Sequence, residues 1–271
     1  MPASTRAVNP HGFTIVFEEE PHVYHSRIGM VNAHGSYVPN PNGREVDYLS
    51  GTSFVKRFTP QFDPKGTITE RKARERGCSV EQLQFEWRQK ANDACSMGTR
   101  VHETCEDTLY QRALRNSPQG VHEQLLMNAG IAAARHIMSK WRILGVEQLI
   151  GDEFALLAGS IDLLALDELS QTYWILDWKT NTEIRFENPF GGSSQFMLPP
   201  VAHLMNCDGV HYELQLATYE MILRSAGYVP RTAKIRRAVI HLTDDGPVFH
   251  ELADRSVEVR DMLIALLSTP F

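Results

Sequence analysis

The chain has 271 residues, 42% hydrophobic and 22% charged, with a formal net charge of −6. That length suits one large domain or one elaborated domain, and the composition is ordinary for a soluble globular protein, with no long low-complexity tract and no internal repeat. The acidic balance argues against a uniformly basic nucleic-acid binder, but the charges are segregated. Lys56 to Arg76 carries seven basic residues against three acids, and Arg231 to Arg237 carries four and none. Such runs either hold phosphates or form solvated faces.

The N-terminus MPASTRAVNPHG has no apolar h-region, so no signal peptide is expected. No run of 18 apolar residues predicts a membrane span. Cys78, Cys95, Cys105 and Cys207 form no CxxC pair and read as reduced thiols. A cytoplasmic setting, bacterial or in a phage-infected cell, is the expectation.

In chain order, Phe13–Phe17 and Val23–Ser26 read as strands. Pro39 to Gly43 reads as a loop with Asn42-Gly43 as its turn, and Thr52–Phe58 as a short helix ending before Pro60. Helical patterns run from about 67 to 143. Ser79 with Gln82 makes a capping box, and Ser117-Pro118 a second helix start. Val121, Leu125, Ala129, Ala132, His136 and Ile137 would form the buried stripe of that helix. Strands follow at Val146–Ile150, Ala155–Leu166 and Tyr173–Lys179, with turns at Gly151-Asp152 and Asp167–Gln171. Residues 182–209 read as irregular. A helix over 211–226, a strand over Lys234–Leu242 and a helix over Asp254–Leu267 complete the chain. The order predicts an α/β fold, a small mixed sheet flanked by helices, with an antiparallel meander to which the later strand adds in parallel.

The chemistry concentrates in Gly159-Ser160-Ile161-Asp162 and Asp177-Trp178-Lys179-Thr180. The midpoint of 162 and 177 falls between Leu169 and Ser170, inside the polar turn. The register that the turn suggests therefore sets the two carboxylates side by side. Asp177 and Lys179 are two apart and share a face, while Leu176 and Trp178 take the other. Two close carboxylates resist joint ionisation unless a cation sits between them, and hard oxygen ligands suit Mg²⁺ or Mn²⁺. Such a site can activate water against a phosphate, with the lysine orienting the water or stabilising developing charge. An Asp–Lys surface pair across a hairpin would leave the same trace.

Three further features bear on the choice. Glu147 is a candidate ligand or water-positioning group, with Glu153 as its competitor. His102 and Glu106 lie one helical turn apart, as do Gln215 and Tyr219. His22 and His25, with His11 and His34, hint at zinc, but no cysteine or carboxylate set completes a tetrahedral group, so a structural or solvated role is expected.

Taken together, Gly98-Thr99 with His102 and Glu106, Gly159 to Asp162, Asp177 to Thr180, and Gln215 with Tyr219 resemble the RecB-like branch of the PD-(D/E)XK nucleases. The nearest flavour is the mitochondrial genome maintenance exonuclease group with its phage and bacterial relatives. The matched region spans about residues 98 to 222. The resemblance implies a restriction-endonuclease-like core over 79–271, with an insertion at 181–212 and an N-terminal elaboration over 1–78. It implies a Mg²⁺- or Mn²⁺-dependent deoxyribonuclease acting on DNA, as an exonuclease. His102, Asp162, Asp177 and the Trp178 backbone carbonyl would ligate the metal, and Lys179 would be catalytic. Glu147 would join the catalytic set, and Gln215, Tyr219, Thr180 and Glu106 would support the site or contact nucleic acid. Iron–sulphur members of that branch hold the cluster with one cysteine before the core and three after it. Only Cys207 lies beyond Lys179, so no cluster is expected. No Walker A segment is present. An endonuclease of the same superfamily, or a silent nucleic-acid-binding module, are the rival readings. The 181–212 segment is either a strand guide, with Phe186, Phe190 and Phe196 stacking on bases, or a self-packed surface insertion.

Overall fold

The computed structural model describes residues 4–19, 22–27, 30–31, 37–38, 45–61, 66–188 and 195–268. The turn at Asn42-Gly43, His34, Lys65 and Phe190 lie outside them. Six strands open the chain: β1 (Ser4–Val8), β2 (Thr14–Glu18), β3 (Val23–Arg27), β4 (Met30–Val31), β5 (Tyr37–Val38) and β6 (Glu45–Ser50). Three helical stretches follow the short α1 (Gly51–Arg57): α2 (Thr67–Arg76), α3 (Val80–Leu109) and α4 (Val121–Lys140). Then come β7 (Arg142–Asp152), β8 (Leu157–Asp167), β9 (Thr172–Lys179), α5 (Asp208–Ser225), β10 (Lys234–Thr243), β11 (Gly246–Glu251) and α6 (Ser256–Ser268).

Nine strands join in the order β1-β2-β3-β6-β8-β9-β10-β11, with β7 paired to β8 as a branch. The meander β7-β8-β9 is antiparallel and β10 adds to β9 in parallel, as the sequence predicts. The result is an α/β fold, a mixed sheet between two helical layers. On one face, Leu163, Leu176, Trp178, Ala238 and Ile240 pack against Val101 and Cys105 of α3 and Leu126 to Ile137 of α4. On the other, Ile161, Leu164, Ile175 and Val239 meet α1, α5 and α6. Burying a side chain of this size contributes roughly 1.5–3 kcal/mol, so the paired apolar faces fix which way every strand residue points.

Several boundaries differ from the sequence reading, each for a local reason. Helix α4 starts at Val121, not at Ser117-Pro118, because Glu123 itself accepts the Gln119 backbone N–H at 3.2 Å. Arg100 holds that carboxylate from α3 at 2.7 Å. The buried face of α4 is also rotated: Leu126, Met127, Ala129, Gly130, Ala133, Ala134 and Ile137 turn inward, while Val121, Ala132 and His136 are exposed. The small residues let α4 approach α3 closely, and a Cβ on Gly130 would fall 2.5 Å from Cys105 Sγ. The helical reading to 143 overruns, since β7 begins at Arg142. The turn placed at Gly151-Asp152 lies later: Asp152 still pairs with Leu157, and its carboxylate accepts the Phe154 and Ala155 N–H groups at 2.9 and 3.1 Å.

The 181–212 segment packs onto the body through Met197, Val201 and Leu204. Phe186 lies against Gly209, where a Cβ would come within 2.4 Å of its ring. Phe196 of the same segment is exposed.

Candidate active site

The hairpin register is the one that the turn dictates. Leu163 pairs with Leu176 and Leu164 with Ile175, so Asp162 and Asp177 are the next opposed positions. On the other side, Val146 pairs with Leu163 and Gln148 with Ile161, which sets Glu147 opposite Asp162. Three acidic side chains therefore lie in one row across β7, β8 and β9. The sheet splits here. β9 pairs with β8 only from Leu163 onward, whereas β6 pairs with it only at Leu157 and Ala158.

Tyr219 of α5 occupies that split. A Cβ on Gly159 would lie 2.4 Å from its ring, and one on Gly51 would lie 2.6 Å from it. Only glycine admits the ring so close to β8 and to the start of α1. Gln215, one turn earlier, bonds the Tyr219 hydroxyl at 3.0 Å. Burial raises the Tyr219 pKa above the ordinary tyrosine range, so it stays a neutral hydroxyl.

Asp162 is the hub. One of its oxygens accepts the Trp178 backbone N–H at 2.9 Å and stands 3.3 Å from His102 Nδ1. His102 reaches it from α3, whose second half docks on the sheet through Val101, Cys105 and Leu109. Gly98 brings α3 near the end of β9, since a Cβ there would sit 3.3 Å from Thr180 Oγ1. One donor atom each from His102, Glu147 and Asp162 lies within 4.8 Å of the other two. Two carboxylates and an imidazole form a mixed O/N donor set that suits a divalent cation.

Asp177 falls outside that trio among the described residues and contacts the Lys179 ammonium instead. The Lys179 Nζ also lies 4.6 Å from the centre of the Tyr212 ring. Tyr212 donates to Asn181 Oδ1 at 3.0 Å. Sequence reasoning missed Tyr212, though Tyr212, Gln215 and Tyr219 share one helical face at i, i+3 and i+7.

Electrostatics mark the site. Burial, and then the Asp177 charge, push Asp162 up to about 6, against the pull of His102 and Lys179. Crowding by the cleft walls, and then the Asp162 charge, push Glu147 up to about 8. Burial opposes the charge on Lys179, but Asp177 and Asp162 outweigh it and raise its pKa, so the ammonium persists. Glu147 has a left-handed backbone, φ 48°. A left-handed non-glycine costs about 1–2 kcal/mol and clusters at functional positions. Its carboxylate accepts from Ser160 Oγ at 3.2 Å.

Glu153, the competitor for that role, sits in the β7–β8 turn and is held by Asn9 at 2.7 Å and His11 at 2.5 Å. It has no place in the trio. Glu106 lines the cleft but is bound by Arg112 and Arg115. Of the histidines read for zinc, His11 bonds Glu153 and His25 stands 3.3 Å from Glu18. The Arg231–Arg237 run is largely neutralised, with Arg236 paired to Glu251 and Arg237 buried against Glu220 and Asp254. Arg71, Lys72, Arg74 and Arg76 of α2 remain exposed.

The cleft over these groups has a volume of about 860 Å³. Its walls come from α3, from β7 and β8, and from β2 and β3 through Phe17 and Tyr24, with His22 just ahead of β3.

A sequence profile of the PD-(D/E)XK nuclease superfamily matches residues 88–268. The chain belongs to that superfamily. Its members are nucleases that use divalent metals on nucleic acid, and the donor trio lies inside the matched span. No match was found among curated proteins. Among the described residues, no helix is long and apolar enough to cross a membrane.

Proposed function

We propose that the protein is a Mg²⁺- or Mn²⁺-dependent deoxyribonuclease that works from DNA ends. The observation that carries the metal-dependent reading is the row of Glu147, Asp162 and Asp177, with His102 beside Asp162 and Lys179 beside Asp177. His102, Glu147 and Asp162 would hold the cation, with Asp177 and the Trp178 carbonyl completing the set on the β9 side. When bound, the cation supplies a polarised water and neutralises charge developing on the phosphate.

The remaining work belongs to the chain. Lys179 is kept protonated by Asp177 and faces the Tyr212 ring. It donates hydrogen bonds to the scissile phosphate or orients the attacking water, and it stabilises the pentavalent charge. The Trp178 N–H fixes the Asp162 carboxylate, so little reorganisation is needed as charge develops. Gln215 and Tyr219 hold the split between β6 and β9 open. Thr180 and Glu106 line the same cleft and bound the path of the strand.

The end-directed reading rests on the resemblance to RecB-like exonucleases. A silent binding module is disfavoured by the intact donor trio of His102, Glu147 and Asp162 beside the Asp177–Lys179 pair. Linear and covalently closed circular DNA, incubated with Mn²⁺, separate the readings. The exonuclease degrades the linear form alone. Nicking or linearisation of the circle would replace it with an endonuclease, and binding without cleavage of either would leave a silent module.

A further inference from the structure

Outside the metal cluster, the cleft has one wall that the mechanism does not use. It comes from the N-terminal strands. Phe17 and Tyr24 stack at 4.7 Å between ring centres with planes 29° apart. His22 meets Phe17 edge-on at 4.9 Å and Tyr24 at 6.0 Å. Tyr24 is buried and roots the group in a small core with Ile15, Tyr48, Leu149 and Ala158. Phe17 is half-buried and His22 exposed, and both line the cleft that holds His102 and Glu147. The distance to the cluster is short enough that the Glu147 and Asp162 charges, after burial, help push the Tyr24 hydroxyl up to about 12.

Charge decides what this wall receives. The lining includes Glu19, Glu103, Glu106 and Glu147, and no Lys or Arg among the described residues. Glu106 is paired with Arg112 and Arg115, and Glu103 with Arg115, so those arginines are already engaged and a phosphate running along the wall meets no free cation among the lining residues. A nucleotide that gives one phosphate to the cation site can turn its base to the aromatic wall. Bases offer a flat face to any aromatic surface, and stacking tolerates sequence. A cleft of about 860 Å³ is the size of sites that enclose one small ligand. Its aromatic wall takes the open face of a base, which a base stacked within a duplex does not present. His22 holds a left-handed backbone, φ 63°, which turns its ring toward the Phe17–Tyr24 pair.

We propose that Phe17 and His22, backed by Tyr24, form a stacking platform for an unpaired base next to the scissile phosphate, so that the strand enters the site single-stranded. The proposal rests on the nuclease reading for the position of that phosphate, and it adds the substrate class and a binding subsite on the N-terminal strands.

The test uses the full chain carrying Lys179→Ala, with Ca²⁺, and fluorescence anisotropy of a labelled single-stranded oligonucleotide. A set of oligonucleotides carries one abasic position moved along the strand. Phe17→Leu keeps apolar bulk without a ring, and His22→Asn keeps a residue that tolerates the left-handed backbone. The platform predicts one abasic position that weakens binding about tenfold or more, the loss carried by one base–aromatic stack. The same position has no further effect in the platform variants, which bind the intact strand about tenfold more weakly. In the catalytically intact chain, the variants show their loss mainly in KM.

Insensitivity to abasic sites at every position overturns the platform, and this arm needs no platform variant to fold. Blunt duplex bound as tightly as single strand, or absence of any strand binding, overturns it as well. A chain that shows the abasic signature but never hydrolyses DNA with Mn²⁺ refutes the nuclease reading and leaves the platform standing. Hydrolysis with KM unchanged by both variants does the reverse.

Discussion

Replacing Asp162 by Asn exposes the conflict built into the site. The folded chain raises this carboxyl from an ordinary 3.8 to about 6. A raised carboxyl pKa means that the unfolded chain ionises more readily. The cost is absent below about pH 4, grows as pH rises through the interval, and is complete above the folded value. At 1.36 kcal/mol per pH unit the interval of about two gives roughly 2–3 kcal/mol against the metal-free fold at pH 8. Asparagine removes that charge but keeps an oxygen for the Trp178 N–H, which Asp162 accepts at 2.9 Å. The metal-free variant is therefore more stable than wild type at pH 8, by about 4–12 °C in melting temperature for a chain of this size. The gain shrinks toward pH 4. Divalent metal reverses the order. At about a hundred times its Kd, Mn²⁺ stabilises wild type by about 2.7 kcal/mol and leaves the variant nearly unchanged. Thermal melts in EDTA and in Mn²⁺, at pH 5 and pH 8, read all four states. A variant that melts below wild type in EDTA at pH 8, or that gains as much from Mn²⁺, refutes the reasoning.

Gly159→Ala puts a Cβ 2.4 Å from the Tyr219 ring, in a split with no room to yield. It lowers stability by about 1–3 kcal/mol and cuts DNA cleavage more than it cuts metal binding, which melts and cleavage rates measured in parallel check. Tyr212→Leu takes the ring from above Lys179, 4.6 Å away. A partly desolvated cation–π contact of about 0.5–2 kcal/mol corresponds to roughly 2–30-fold in cleavage rate, and Tyr212→Phe restores most of it. Asp107 is fully buried and accepts from the Arg115 backbone N–H at 2.7 Å and side chain at 2.9 Å. Burial works against its charge, but these bonds and Arg112 outweigh it and hold its pKa below the usual range. Its stabilisation is present above about pH 4 and lost as pH falls through the lower folded value. Asp107→Asn costs about 2 kcal/mol at pH 7, discounted because both arginines are part-exposed, and flattens the acid limb of the stability curve seen by urea unfolding.

The hairpin that carries Asp162, Asp177 and Lys179 was legible because two independent periodicities agree in it. The polar turn at Asp167–Gln171 fixes the register, and the alternation of Leu176, Asp177, Trp178 and Lys179 fixes the face. The Ser79 cap was equally plain, since its hydroxyl accepts the Gln82 N–H at 3.1 Å. The α4 start was not, because no side chain caps its Gly120 terminus, and Glu123 instead ties back to the Gln119 N–H ahead of the helix. β1 and β11 escaped notice because edge strands bury little and carry weak alternation. Glu147 could be named but not its left-handed backbone, since glutamate gives no sign of that conformation. The choice between Glu147 and Glu153 needed the β7–β8 register, which puts one opposite Asp162 and ties the other to Asn9. The aromatic wall needed the tertiary fold, which carries residues 17, 22 and 24 to the cleft of His102.

The most direct test of the account is cleavage of end-labelled linear single-stranded DNA with and without Mn²⁺, comparing wild type with Lys179→Ala. The account predicts metal-dependent laddering from one end by wild type, and a rate at least a hundredfold lower in the variant, the scale set by loss of one preorganised charge-stabilising donor. The variant still gains thermal stability from Mn²⁺, because its donor trio is intact. Cleavage that persists in EDTA, or equal rates in the two proteins, would contradict it.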